Sequence, residues 1–312
     1  MALRLLVIMN PSAHDWEARD RWPQLQPILA SKAQVTLVNT LPDNAQTIAL
    51  VSEHVQAGFD RVLAIGGDGT VHLVCSGILR AGVKTLPEFA VIPFGTANNV
   101  AKSLALPLDN MEAMARIAAG TQLGGLDVGV LTMHTPHGPE HHHWVNCVGV
   151  GMDADIVAAR AKYRKLGSYV SYAAALAERT LEQRSMDVQL TLDAAEEQAR
   201  VFNVVVTNVP LYVGALHMPG VRMDDGILDV HLFNRNEYGS KVMSYLIKQG
   251  DVLGVGVHEM LDEITRNQRS RQAKNIKIRL AFPRQVQVDG EGMGEADELT
   301  MSVAAHLRVA RP

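Results

Sequence analysis

Three glycines and a carboxylate share one short run, Gly66-Gly67-Asp68-Gly69-Thr70. The apolar run Arg61–Ile65 leads straight into it, and the helix-compatible run Val71–Leu79 follows. A strand, a glycine turn and a helix start together present free N–H groups and the positive end of a helix dipole. That combination suits a phosphate, and glycine lets a ligand approach the backbone closely. Asp68 is the odd member, because a carboxylate repels phosphate unless a metal or a substrate hydroxyl lies between them. A tight βα turn with Asp68 as helix N-cap is the plainer reading. A second small-polar turn, Pro93-Phe94-Gly95-Thr96-Ala97-Asn98-Asn99, follows the apolar run Glu88–Ile92. Late in the chain, Asp289-Gly290-Glu291 sets two carboxylates around a glycine that can turn both toward a cleft. A surface hairpin turn is the alternative there.

The elements that must position these residues can be read from periodicity. Leu3–Met9, Ala33–Val38, Arg61–Ile65 and Glu88–Ile92 read as strands. Trp16–Ser31, Asn44–Ala57, Val71–Leu79 and Met111–Ala119 read as helices, with Ala45, Ile48, Ala49, Val51 and Val55 on one side of the second. Alternating units of this length predict a mostly parallel sheet covered by helices on both faces. In such sheets ligands bind at the carboxyl ends of the strands, which places Asn10 and the loop after it at the site. Beyond residue 125 the texture becomes antiparallel β. Strands are expected at Leu126–Met133, His143–Gly151, Met186–Leu192, Ala199–Asn208, Ile227–Phe233, Ile276–Ala281, Gln285–Val288 and Leu299–Val309, with one helix at Tyr169–Gln183. The expected division is 1–125 for an α/β nucleotide-binding domain and 126–312 for a β-rich domain, hinged at Gly124-Gly125, with the last strand returning to the first.

The 312 residues, 47% hydrophobic and 20% charged, describe an ordinary globular chain. A net charge of −4 gives no global attraction to nucleic acid or to an anionic membrane. Cys75 and Cys147 have no metal-knuckle spacing and read as buried thiols of a cytoplasmic protein. The apolar start stops at Asn10-Pro11-Ser12, so it reads as a buried strand and not a signal peptide. No run approaches the length of a membrane span.

Gly66-Gly67-Asp68-Gly69-Thr70, Pro93-x-Gly95-Thr96-x-Asn98-Asn99, Gly149-x-Gly151-x-Asp153-Ala154 and Asp289-Gly290-Glu291 occur in this order. With that order and spacing the chain resembles the diacylglycerol kinase catalytic-domain family, in particular the bacterial YegS-like lipid kinases. Sphingosine, ceramide and NAD kinases are relatives. The resemblance covers nearly the whole chain. It implies an N-terminal three-layer α/β domain, a C-terminal antiparallel β-sandwich with a helix, and an ATP-dependent lipid kinase using Mg²⁺. Phosphoryl transfer requires a phosphate cradle, a metal and a positioned acceptor hydroxyl. Gly66, Gly67, Asp68, Gly69 and Thr70 would then cradle the nucleotide, with Asn10, Thr40, Gly95, Thr96 and Asn98 lining the same crevice. Glu291 would be the general base, with Asp289 and Asp68 as catalytic companions. Asp68, Asp127, Asp289 and Glu291 would supply acidic groups for Mg²⁺. A second metal turn would use Asp225 and the carbonyls of Arg222 and Ile227. Two family carboxylates are absent, one from the stretch after Thr70, where His72 stands, and one at Asn99. Two alternatives remain: a kinase for a non-lipid hydroxyl such as NAD, and a non-catalytic nucleotide or lipid sensor.

Five histidines between His134 and His143 could make a transition-metal site, but Gly138-Pro139 among them favours a polar hairpin turn. Basic runs at Arg160–Lys165 and Arg266–Arg279 read either as solvated faces or as peripheral contacts with anionic headgroups.

Overall fold

In the computed structural model, which describes residues 2–160, 162, 185–212, 214, 216–233 and 269–312, Leu5, Leu6, Val7 and Ile8 have no exposed surface. An uninterrupted apolar run of this kind belongs to a strand covered on both faces. That strand, β1 (Leu3–Met9), pairs in parallel with β2 (Ala33–Asn39) and β3 (Arg61–Gly66), and β3 pairs in parallel with β4 (Glu88–Pro93). Five helices follow the same register: α1 (Glu17–Ala30), α2 (Asn44–Gln56), α3 (Asp68–Arg80), α4 (Asn99–Ser103) and α5 (Met111–Ala118). Leu5 and Val7 pack with Leu25, Leu29 and Met114 of α1 and α5. Leu6 and Ile8 pack with Val51, Val55, Val74 and Ile78 of α2 and α3. Strand alternation therefore splits the core into two layers.

The expected four strands and their helices all form, with three differences. Helix α3 starts at Asp68, so Gly67 is its N-cap and makes no side-chain cap bond. The second small-polar turn contains the short helix α4. In α2, Thr47 and Ser52 are buried and Ala45 is exposed. The stripe is rotated because Thr47 Oγ1 accepts from Leu41 N–H at 2.9 Å and lies over the carbonyls of Leu41 and Asp43.

The second half contains β5 (Leu123–Thr135), β6 (Gly138–Trp144), β7 (Cys147–Gly151), α6 (Met152–Arg160), β8 (Met186–Leu192), β9 (Ala195–Val201) and β10 (Asn203–Thr207). It continues with β11 (Leu211–Tyr212), β12 (Leu216–His217), β13 (Leu228–Phe233), β14 (Arg269–Ala273), β15 (Asn275–Val288) and β16 (Glu291–Ala310). These strands pair with one another antiparallel, around a core that includes Trp144, Leu131, Val204 and Ile278. The main order is β14-β13-β10-β7-β15-β16-β4-β3-β1-β2. Strand β16 pairs antiparallel with β5 and β15, and Val309 pairs in parallel with Phe89 of β4.

Several expected boundaries are corrected. Gly124-Gly125 is not a hinge: both lie inside β5, opposite Val309 and Arg308. A Cβ on Gly124 would lie 2.7 Å from Arg311 Cδ, and one on Gly125 would run into the His306 ring. These glycines make room for crossing side chains. The histidine-rich stretch is mostly strand, because β5 and β6 form a hairpin whose turn lies at 136–137. Ala199–Asn208 divides at Phe202, and the two expected strands at 276–281 and 285–288 join as β15, with a register shift between Arg279 and Arg284. The expected helix at Tyr169–Gln183, Tyr163–Lys165 and Arg266 lie outside the described residues.

Candidate active site

The carboxyl ends of the four parallel strands are laced together beyond the strands themselves. Thr40 N–H donates to Met9 O at 2.8 Å, Asn10 N–H to Ile65 O at 2.9 Å, and Phe94 N–H to Gly66 O at 2.8 Å. Asn10, Thr40, Gly66 and Gly95 thus share one edge, where an open α/β sheet binds its ligand. Asn10 itself turns inward: its Oδ1 accepts from the N–H and the hydroxyl of Ser12, at 3.1 and 2.9 Å.

The glycines of the central turn have different tasks. A Cβ on Gly95 would lie 2.6 Å from Gly67 Cα, and one on Gly67 would lie 3.1 Å from Gly95 Cα. The two turns therefore press backbone against backbone. A Cβ on Gly66 would strike the buried Thr70 side chain, whereas nothing lies within 4 Å of the position at Gly69. Only Gly69, in the first turn of α3, borders open space where a phosphate could meet helix N–H groups. Thr96 is exposed in the second turn. Asn98 is bonded within its own turn. It adopts a left-handed conformation (φ 52°), accepts from Gly95 N–H at 2.9 Å and donates through Nδ2 to Gly95 O at 2.7 Å.

Asp68 proves to be a cap for a different helix. Its carboxylate accepts from the N–H groups of Asn99 and Val100, at 3.1 and 3.3 Å, across the start of α4. Burial raises its pKa, opposed by those backbone N–H donors. The carboxylate is accommodated beside the phosphate turn because it faces N–H dipoles.

Asp289 and Gly290 both have positive φ, 51° and 89°, and Val288 pairs with Glu291 across them. This is a two-residue primed hairpin turn, the geometry that Asp-Gly favours. Its two carboxylates part company. Glu291 is exposed. The Asp289 side chain has no exposed surface. It accepts from the N–H groups of Val145, Asn146 and Cys147 at 2.8, 2.7 and 2.9 Å and lies 2.9 Å from His72 Nδ1. The expectation that both carboxylates face the cleft is therefore corrected. Asp289 holds structure, and Glu291 alone of the pair is presented outward.

Asp127 also belongs elsewhere. One carboxylate oxygen accepts from Gly226 N–H at 2.7 Å and the other lies 2.7 Å from His306 Nδ1. It pins the turn carrying Arg222, Asp225 and Ile227 and is not a companion of Asp68 and Asp289. Within that turn Asp225 Oδ1 accepts from Ile227 N–H at 3.0 Å. Among the described residues no three His, Cys, Asp or Glu side chains are grouped to hold a metal ion. That covers the five histidines too. His141 lies 2.9 Å from Thr132 Oγ1, and burial lowers the pKa of His142 and His143, with His72 nearby adding to the shift.

Two features escaped the reading of the sequence. Asn99 accepts from Gly214 N–H at 2.9 Å while Lys102 Nζ donates to Gly214 O at 2.7 Å, which docks Gly214, between β11 and β12, on the second turn. Only the small-polar character of that turn hinted at such a contact. Asp153, noted for its motif, is a buried acid. One oxygen accepts from Tyr212 OH and Gln287 Nε2, at 2.9 and 3.0 Å, and the other has no hydrogen-bond partner. Burial raises its pKa to about 6. The unfolded chain releases this proton near pH 4, to within about half a unit, and the folded protein holds it to about pH 6. Stability therefore falls as pH rises through that window and levels off above it. Asp153→Asn is expected to remove the fall, a gain of about 1–3 kcal/mol at pH 7 relative to the wild type. Urea denaturation at pH 4, 5, 6 and 7 checks this, and parallel stability curves for the two proteins would refute it.

The comparisons with known proteins agree with this geometry. Residues 4–131 match the diacylglycerol kinase catalytic domain, and residues 146–311 match the YegS C-terminal NAD kinase beta sandwich-like domain. A protein of Chromohalobacter salexigens named "Probable lipid kinase YegS-like" is 28% identical over 204 residues, 65% of this chain and 62% of that protein. A diacylglycerol kinase of Bacillus subtilis is 22% identical over 81% of this chain and 78% of its own. The crystal structure of a diacylglycerol kinase from Bacillus anthracis covers 99% of this chain and 97% of its own, with TM-score 0.68 at 20% identity. Yeast NADH kinase complexed with NADH covers 100% and 84%, with TM-score 0.54 at 11% identity. Alternating βα units, the glycine turn on their carboxyl edge and the β half joined to them by one long strand lead to one conclusion: the chain belongs to the family that couples a diacylglycerol kinase catalytic domain to a YegS-type, NAD kinase-like β-sandwich.

Proposed function

We propose that this protein is an ATP-dependent lipid kinase that moves the γ-phosphoryl group of ATP to a hydroxyl of a lipid such as diacylglycerol. One observation carries the reading. Residues 217 positions apart, His72 on the helix of the phosphate turn and Asp289 beside Glu291, meet at 2.9 Å. This contact supports a reading in which the nucleotide side and the candidate base share one cleft. The backbone around Gly69 binds the phosphates, and Thr96, Asn10 and Thr40 border them. Glu291 takes the acceptor proton as the hydroxyl oxygen attacks the γ-phosphorus, and the bond to the β-phosphate oxygen breaks. Mg²⁺ would neutralise phosphate charge, held by phosphate oxygens and water with few protein groups, as is usual for this ion. The Arg222, Asp225, Ile227 turn, steadied by Asp127, remains the candidate for a second Mg²⁺.

No described helix is long and apolar enough to cross a membrane. We place the protein in the cytoplasm, meeting its lipid at the membrane surface. Arg269, Arg271 and Lys274 are exposed and available for such contact, although Arg271 is paired with Glu197. The likeness to yeast NADH kinase keeps a second reading, a kinase for a dinucleotide hydroxyl. Labelled ATP offered with a panel of lipids and NAD separates them. Transfer to NAD alone would sink the lipid reading, and ATP binding without any transfer would favour a sensor.

Gly69→Ala tests the cradle itself. The open space predicts unchanged or slightly higher stability, by up to about 1 kcal/mol from better helix propensity. The new methyl group would occupy the phosphate position, so ATP affinity should fall about tenfold, equivalent to about 1.4 kcal/mol. Calorimetric titration with ATP reads this, and undiminished affinity would move the phosphates elsewhere.

A further inference from the structure

His72 lies one helical turn beyond Asp68, on the same side of α3, and its ring is only 11% exposed. Its Nδ1 points at Asp289 Oδ2 across 2.9 Å. Asp289 is held from its other sides by three backbone N–H groups of 145–147, and its own N–H donates to Cys147 O at 2.9 Å. The hairpin tip is therefore a tightly bonded block, tied to α3 by the His72–Asp289 hydrogen bond. That block also carries Glu291. With an ionised carboxylate as acceptor, Nδ1 carries the proton, and such charge-assisted bonds are the strong ones.

We infer that His72 is a positioning residue, whose hydrogen bond to Asp289 sets the distance between the phosphate turn on α3 and Glu291 on the β15–β16 hairpin. The inference rests on the kinase reading of this cleft. The lock acts through geometry and not through the ring's basicity. His142 and His143 of β6 face the ring, and the carboxylate of Asp68 and the buried thiols of Cys75 and Cys147 lie near Asp289. Asparagine can place an amide N–H where Nδ1–H stands, so it keeps the lock without keeping an imidazole. Leucine fills similar space and cannot donate.

The full-length protein is compared as wild type, His72→Leu and His72→Asn. In His72→Leu, kcat should fall about 10- to 100-fold, the loss that accompanies a misplacement of about 1 Å, while ATP affinity measured without acceptor stays unchanged. His72→Asn should recover most of the rate, with the wild-type pH profile. Hydrogen exchange gives a reading independent of activity: the amides of Val145, Asn146 and Cys147 should exchange faster in the leucine variant and be protected again in the asparagine variant. Wild-type turnover in His72→Leu would overturn the inference. So would an asparagine variant as slow as the leucine one, since the ring itself would then be doing the chemistry. Unchanged exchange in all three proteins would show that no lock exists. A wild type that transfers phosphate to no acceptor would overturn the kinase reading and the positioning role with it, with the exchange pattern still showing whether the two elements are tied.

Discussion

Glu291→Gln is expected to retain ATP binding and to lose turnover by about 10²- to 10⁴-fold, the contribution of a positioned general base. The substitution keeps size and hydrogen-bonding reach and removes only the basic oxygen. Glu291 is suited to the role by placement. It is the first residue after a primed turn, its backbone is fixed by pairing with Val288, and the residue is exposed. The same exposure predicts little structural cost, within about 0.5 kcal/mol of the wild type. Steady-state kinetics with the best lipid acceptor, together with ATP titration and urea denaturation, test all three parts. Undiminished turnover would remove Glu291 from the base role.

Asp289→Ala is expected to show the opposite pattern, a loss of fold before a loss of chemistry. The carboxylate is fully buried and serves three backbone N–H groups and His72. Removing it strands those donors, and each unsatisfied buried group costs about 1–3 kcal/mol. Some relaxation and water entry will recover part of that, so the expected destabilisation is about 3–5 kcal/mol, the range for stripping one partner from a buried charged contact. Asp289→Asn should lie between alanine and wild type. Asparagine tolerates the positive φ at this position and can keep an oxygen for the amides of Asn146 and Cys147, but then turns an NH₂ toward both Val145 N–H and His72. Urea midpoints of the three proteins order them. An alanine variant within about 1 kcal/mol of the wild type would mean that Asp289 is not the keystone of the hairpin. The two substitutions, two residues apart, separate a chemical carboxylate from a structural one.

Much of the cleft was legible from residue types. Three glycines after an apolar strand announce a backbone that must be approached closely, and small polar residues after the next strand announce its neighbour. What each glycine is approached by was not legible. Gly67 and Gly95 are approached by each other, and local composition carries no record of a partner 28 residues away. That Asn98 closes its own turn was not legible either, because a side chain amide serves a nearby backbone as readily as a ligand. Asp127 looked like a cleft carboxylate and instead pins Gly226 and meets His306. Acidic residues are interchangeable on the page and distinguished only by which N–H groups surround them.

The order of the four parallel strands and their main helices, the parallel-to-antiparallel change and the position of the glycine turn follow from the amino-acid sequence by itself. They depend on period-2 and period-3.6 burial and on glycine, which act over neighbouring residues. Tertiary structure alone decided the rest. It turned Asp68 onto the start of α4, and it joined His72 to Asp289 across 217 positions. A buried carboxylate must find donors wherever the chain brings them, and that choice is made by long-range packing, not by the residues on either side.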